Sequence, residues 1–307
     1  MKFRFMDYRN QLFIFSAVLT ILALFLFVVK GFNYGIDFKG GSILHLRFND
    51  PMNETKIRET FGKIPNLYFQ PEQLVVQSVG GDSTGREFII QYPALAREDS
   101  DASQIHSNIL AQLKALAPYS EDAFSMANVG PTVGGEMKRQ GFLAAIISII
   151  GILLYLAWRF EFQSATGAIV SLVHDLIVVS GFVCLIGLEF DITVLAALLT
   201  MLGYSVNDSI VILDRIRENR RLMRVSSFAD LINDSINQTL GRTINTSVTT
   251  LFTLVTLLLF GGQSIHSFAL TLTVGVFFGT YSSIFIAAPV LLLTTGDKLG
   301  SKKNAAA

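Results

Sequence analysis

Two carboxylic acids stand in stretches where the chain is otherwise apolar: Asp175, beside His174, and Asp208, beside Asn207. An ionisable group in hydrocarbon is costly, and such groups tend to face a bundle interior and to carry function. A carboxylate there can bind and release a proton as its surroundings change, because burial favours its neutral form and a nearby arginine its charged form. It can equally be held by an arginine or a hydroxyl and serve only to join helices. The surroundings of Asp208 strengthen the proton reading. Thr200, Tyr204 and Asp208 fall four residues apart and share one helix face. After Arg242, residues Thr246, Thr249, Thr253 and Thr256 follow at steps of four and three, widened by Asn245, Ser247 and Thr250. That is a continuous stripe, of the kind that lines a wet path or a close helix contact. Arg242 can reach along it as the counter-charge of Asp208, or snorkel to lipid headgroups. His174 and Asp175 point about 100° apart on a helix, and both interhelical bonding and proton handling are open to them.

Other chemistries lack their residues. His45, His106, His174 and His266 fall in separate elements and form no metal-ligand spacing. The single Cys184 excludes an internal disulfide and a cysteine metal cluster. Neither a phosphate-binding glycine loop nor an H-E-x-x-H motif occurs, so no cofactor and no metal are expected. An intramembrane protease would need a serine–histidine pair or two facing aspartates, for which only Asp175 and Asp208 qualify. The chain is therefore expected not to be an enzyme. Its energy would come from a partner or a membrane gradient, across which one charge gains about 2.3 kcal/mol per 100 mV. With 24 basic residues against 24 acidic ones, a nucleic-acid binder is not expected.

Membrane helices must position these side chains. Of 307 residues, 51% are hydrophobic and 16% charged, and mean hydropathy is +0.49. The apolar residues gather in six runs, 12–29, 142–158, 165–188, 192–213, 244–260 and 268–293, each near the ~20 residues that cross a bilayer as a helix. The first reads as a retained anchor, since Lys30-Gly31-Phe32-Asn33 offers no small-residue cleavage pattern. At ~1.5 Å per residue, His174 lies about 14 Å into the third run, near mid-bilayer, and Asp208 ~8 Å inside the end of the fourth. Basic residues gather at the amino end (Lys2, Arg4, Arg9), after the fourth run (Arg215, Arg217, Arg220, Arg221, Arg224) and at the carboxyl end (Lys298, Lys302, Lys303). These are expected to be cytoplasmic, with Lys138 and Arg139 a local exception on the outer side.

Residues 31–137 form a polar block outside the membrane. Strands are expected at 43–48, 73–79, 86–92 and 123–129, helices at 54–61 and 101–116, and a turn at 80–85. Asp99 or Ser100 would cap the second helix. Ile105, Ile109, Leu113 and Leu116 recur at three and four residues, so one face of that helix should pack on a sheet. The order β-α-β-β-α-β is that of a ferredoxin-like domain. The expected fold is a polytopic α-helical membrane protein, with six transmembrane helices and one external α+β ferredoxin-like domain between helices 1 and 2. Its parts are the amino end with helix 1 (1–30), the external domain (31–137), a five-helix bundle (138–295) with a cytoplasmic loop at 214–242, and a cytoplasmic tail (296–307). Glycines cluster at 31–42 and 130–135 as turn-rich joints, where a domain would hinge if bundle motion were passed outward.

The segments Gly35-Ile36-Asp37-Phe38-Lys39-Gly40-Gly41, Asn128-Val129-Gly130-Pro131-Thr132-Val133-Gly134, 203–219 and Arg242-Thr243-Ile244-Asn245-Thr246-Ser247, in this order and topology, resemble the SecF side of the SecD/SecF protein-export family. The external block of 107 residues is short for SecD. The resemblance implies a partner, SecD, and association with the SecYEG channel, often with YajC. It implies that the chain promotes the late, outward stage of protein translocation, driven by the proton-motive force, after SecA has pushed the preprotein in. The site would be the bacterial cytoplasmic (inner) membrane, with both termini cytoplasmic. Asp208 would be the helix 4 proton-pathway carboxylate and Arg242 the nearby arginine, with a further carboxylate from SecD. No role is implied for His174 or Asp175. Two alternatives stand beside it: a structural or assembly subunit with no proton role, and a small-solute proton-coupled transporter.

Overall fold

The computed structural model of the chain describes residues 3–64, 73–78, 85–93, 99–120, 124–222 and 227–296. They fall into two compact units, Tyr34–Leu143 and the segments that flank it.

In the first unit, strands β1 (Gly41–Arg47), β2 (Val75–Ser78), β3 (Glu87–Pro93) and β4 (Ser125–Val129) alternate with helices α2 (Glu54–Gly62) and α3 (Asp99–Leu116). The sheet order is β2-β3-β1-β4, antiparallel throughout. Strands place alternate side chains on one face, so Leu44 and Leu46 of β1 meet Ile90 and Phe88 of β3 on the buried side. Against them pack Ile57 and Phe61 of α2 and Ile109 and Leu113 of α3, all fully buried. Asn53 caps α2 by accepting a hydrogen bond from the Thr55 amide at 3.0 Å. The Ser42 hydroxyl donates to Asn128 at 2.9 Å and ties β1 to the edge strand β4. This is the expected ferredoxin-like arrangement. Helix α3 begins at Asp99, two residues earlier than its sequence signals suggest. Residue 79 of the expected second strand, residues 80–84 of the expected turn and residue 123 of the expected last strand lie outside the described residues.

The second unit contains α1 (Arg9–Val29), the membrane part of α4 (Pro131–Arg159), α5 (Phe162–Ile186), α6 (Ile192–Leu222), α7 (Phe228–Phe260) and α8 (Gln263–Ser282). A π-helical turn, Ser283–Ala287, joins α8 to α9 (Ala288–Thr295). Among the described residues, six helical spans are long and apolar enough to cross a membrane. Within an apolar 18-residue stretch of each span, the buried share is 56% in α5, 50% in α6 and 67% in α8–α9, against 11% in α1, 6% in α4 and 17% in α7. The buried polar residues of the spans lie mostly on α5, α6 and α8, with Thr243 and Ser247 added from α7. Gly275 and Gly279 let α8 approach α6 closely: a Cβ on Gly279 would stand 3.0 Å from that of Ser205. The amino end is pinned to α7, with the Met6 amide donating to Asn233 at 3.0 Å.

Two expected irregular segments are helical. Most of 214–242 is helix, since α6 runs on to Leu222 and α7 begins at Phe228 behind a Ser227 cap. Phe228, Leu231, Ile232 and Ile236 carry the apolar period one face needs, and Asn219 donates to Ser235 at 2.9 Å across the hairpin. The joint expected at Gly130–Gly135 is instead the start of α4. Pro131 suits a first helical position because its missing N–H has no intrahelical partner to lose. Gly134 then packs on the other joint: a Cβ there would lie 2.8 Å from the Gly40 nitrogen. In that joint Gly35 precedes a helical turn, Ile36–Lys39, which carries Asp37 half-buried, and Gly40 at φ 76° ends it. Gly41 brings its backbone against the Tyr92 carbonyl, where a Cβ would be 2.6 Å away.

Tyr92 is buried and its hydroxyl lies 2.8 Å from Nδ1 of His106. Burial lowers the His106 pKa below its ordinary 6.5, so the unfolded chain takes up that proton more readily than the folded domain. Stability is then lost as pH falls below about 6.5. Burial also pushes the Tyr92 phenol up to about 12, so stability is lost again as pH rises from about 10 towards 12. The protease resistance of the domain in the full chain should therefore fall between about pH 7.5 and about pH 5.5, and His106→Gln should flatten that acid limb.

Candidate functional site

Asp208 sits on the buried side of α6, 2% exposed. Ser247 of α7 and Thr280 of α8 face its carboxylate, and Arg242 of α7 lies within electrostatic reach. The two hydroxyls bond each other at 2.7 Å, and the Tyr204 hydroxyl donates to Ser247 at 3.3 Å. Among the described residues, Oδ2 of Asp208 is buried without a hydrogen-bond partner. A buried acceptor in that state costs on the order of 1–3 kcal/mol. A proton delivered to it would remove the charge, and the adjacent hydroxyls can turn to donate or accept.

A second carboxylate stands among the same helices. Asp175 of α5 is fully buried. Its Oδ2 accepts hydrogen bonds from Ser205 of α6 and Ser282 of α8, each at 2.6 Å. Its Oδ1 lies 3.0 Å from Nδ1 of His174. Ser171, one turn before Asp175, donates to Ser282 at 2.9 Å. His174 and Asp175 therefore bond each other, although their side chains leave the helix in different directions, and Nε2 of His174 is buried with no partner among the described residues. Ser205 precedes Asp208 by three residues and Ser282 follows Thr280 by two, so α6 and α8 each touch both carboxylates.

The expected threonine stripe does not line this site. Thr249, Thr253 and Thr256 are exposed and Thr246 half-buried. Each bonds a carbonyl one turn back on its own helix, Thr246 to Arg242 at 3.0 Å and Thr249 to Asn245 at 2.9 Å. The face of α7 turned inward carries Thr243 and Ser247 instead, both buried. Thr200 and Asn207 are also exposed, and Arg242 is on the exposed side of α7. The sequence assigns no role to Ser171, Ser205, Thr280 or Ser282, and Ser247 only a place beside the threonine stripe. Their signal was a serine four residues from Asp175, another three from Asp208, and the polar run Thr280-Tyr281-Ser282-Ser283 in an apolar helix.

Residues 108–297 match the family described as protein export membrane protein SecD/SecF, C-terminal. Residues 25–52 match the SecD/SecF GG motif. Over 296 residues the chain is 42% identical to the protein translocase subunit SecF of Pseudomonas aeruginosa, covering 95% of this chain and 92% of that protein. Over 306 residues it is 39% identical to the SecF of Magnetococcus marinus, covering 99% and 95%. The crystal structure of SecDF from Thermus thermophilus, a translocon-associated membrane protein, superposes with a TM-score of 0.81 at 37% identity. That match covers 96% of this chain and 39% of the SecDF chain.

Replacing Asp175 by Asn turns one acceptor into a donor that faces other donors. Asp175→Asn should therefore destabilise the purified chain by ~1–3 kcal/mol in reversible detergent unfolding. Ser282→Ala should cost less, and Ser171→Ala least. Unchanged unfolding of Asp175→Asn would remove it from the packing of the three helices.

Proposed function

Since the chain belongs to the SecD/SecF family of protein-export membrane proteins, we propose that it promotes the outward stage of protein translocation by spending a proton gradient. It is a multi-pass membrane protein with a role in protein translocation. In the proposed setting it sits in the bacterial cytoplasmic membrane with both termini inside. It works with SecD, beside SecYEG and after SecA, with YajC as a further associate, and it catalyses no covalent chemistry.

One observation carries the proton reading. Asp208 is a buried carboxylate with an unpartnered oxygen, near Arg242 and between hydroxyls from two other helices. When a proton arrives, its attraction to Arg242 weakens and the Ser247–Thr280 pair is free to rearrange. Helices α6, α7 and α8 meet there, so their packing shifts with the proton. Each charge that crosses gains about 2.3 kcal/mol per 100 mV, enough to bias two packings a few kcal/mol apart.

The test uses inverted vesicles lacking the native subunit and supplied with SecD and either this chain or Asp208→Asn. Completion of preprotein translocation is followed with and without a proton gradient, after pull-down has established equal assembly. Asp208→Asn should fall to the level of vesicles without the chain when the gradient is present. Equal stimulation by both forms would leave the chain as a scaffold, with the proton site elsewhere.

A further inference from the structure

The arginine-rich end of α6 encloses a space that the carboxylate site does not use. A cavity of about 310 Å³ is lined by Arg217, Arg220 and Arg221 of α6, by Glu161 and Ser164 at the start of α5, and by an apolar wall that includes Phe228 of α7. Three guanidinium groups meet one carboxylate there. Arg220 lies 3.8 Å from Glu161 and its guanidinium 5.9 Å from the centre of the Phe228 ring. The acids next to the other two arginines are engaged elsewhere, Asp214 with Arg159 at 2.6 Å and Glu218 with Arg215. Among the described residues, Arg217 and Arg221 have no carboxylate partner. The Nε of Arg217 is moreover buried without an acceptor.

Depth narrows the class of ligand. Helix α6 begins at Ile192, and about 20 residues cross the hydrocarbon, so Arg217 and Arg221 stand roughly 8–14 Å beyond its edge. Long arginine side chains can reach back to the headgroup layer from there. Ser164, in the first turn of α5, sits at the same boundary. No side chain caps α5 at Glu161, so the free N–H groups of that turn add donors. We propose that this cavity is a binding site for a phosphate group, the chemistry shared by an anionic phospholipid headgroup and free phosphate. Planar guanidinium forks match phosphate oxygens in pairs, and the phosphate supplies the acceptor that Arg217 lacks. The apolar wall suits the glycerol and first methylenes of a lipid.

The full chain in neutral detergent is titrated with phosphatidylglycerol or phosphatidylcholine, and retained lipid is counted by native mass spectrometry. Phosphatidylglycerol should be retained in preference. The Arg217→Gln/Arg221→Gln double variant should hold it about thirtyfold more weakly. The charge-matched Lys138→Gln/Arg139→Gln variant should hold it normally. In parallel, inorganic phosphate is compared with chloride at equal ionic strength in thermal unfolding. A rise in midpoint that needs Arg217 and Arg221 assigns the site to free phosphate, and phosphatidylglycerol binding without such a rise assigns it to lipid. Equal retention of both lipids, or of phosphatidylglycerol by the double variant, with no rise in midpoint that needs Arg217 and Arg221, overturns the proposal. Should the double variant fail to fold, Arg221→Gln alone and the cavity-filling Ser164→Leu are judged by the same criteria.

Discussion

A carboxylate cannot be left bare among membrane helices, and the bundle is arranged around that constraint at Asp175. Water is not at hand to satisfy it, so the donors must come from other helices. Ser205, Ser282 and His174 supply them, and Ser171 supports Ser282 from behind. Because both serines reach the same oxygen, α6 and α8 cannot slide along α5 independently. The close approach at Gly275 and Gly279 makes this geometry possible. The π-turn comes directly after Ser282 and leads into α9, whose Pro289 has no N–H to place in a regular ladder. Such turns recur at functional sites, where an added residue re-aims the next stretch of helix.

Asp208 is the counterpart that is not locked. It lies on the same helix as Ser205 and opposite the same segment of α8 as Ser282, but its neighbours bond each other and leave one of its oxygens unmatched. A fully bonded carboxylate fixes a structure, whereas an under-bonded one responds to a proton. Having both on one pair of helices means that a change at Asp208 acts against a fixed reference. The reading of the chain as a proton-driven export subunit rests on that contrast.

Helix α7 shows how a polar pattern can mislead. Its threonines form a regular stripe, yet their hydroxyls return to their own helix, and a β-branched hydroxyl on a helix can do this without any partner. The residue that matters, Ser247, sits beside the stripe. The arginines of α6 show the opposite. As a sequence cluster they indicate only which side of the membrane is favoured, whereas in the fold two acids are taken by Arg159 and Arg215, and Arg217 and Arg221 are left facing a cavity.

The six spans, the β-α-β-β-α-β order and the placing of Asp208 inside a helix were legible in the residues themselves, because hydropathy and a period of two or 3.6 are properties of a short stretch of chain. The helix at 228–242 carries a signal of the same kind, in the spacing of Phe228, Leu231, Ile232 and Ile236, but among the charges of 214–242 that stretch reads as a loop. Which side chains meet was not legible. The partners of Asp175 and Asp208 come from three other segments, up to 107 residues away. Period tells which residues share a face of a helix, but the direction of that face depends on the helix's rotation about its own axis. That rotation is set by packing against neighbours, here by two glycines of α8 pressed on α6, and so only the tertiary structure decided it.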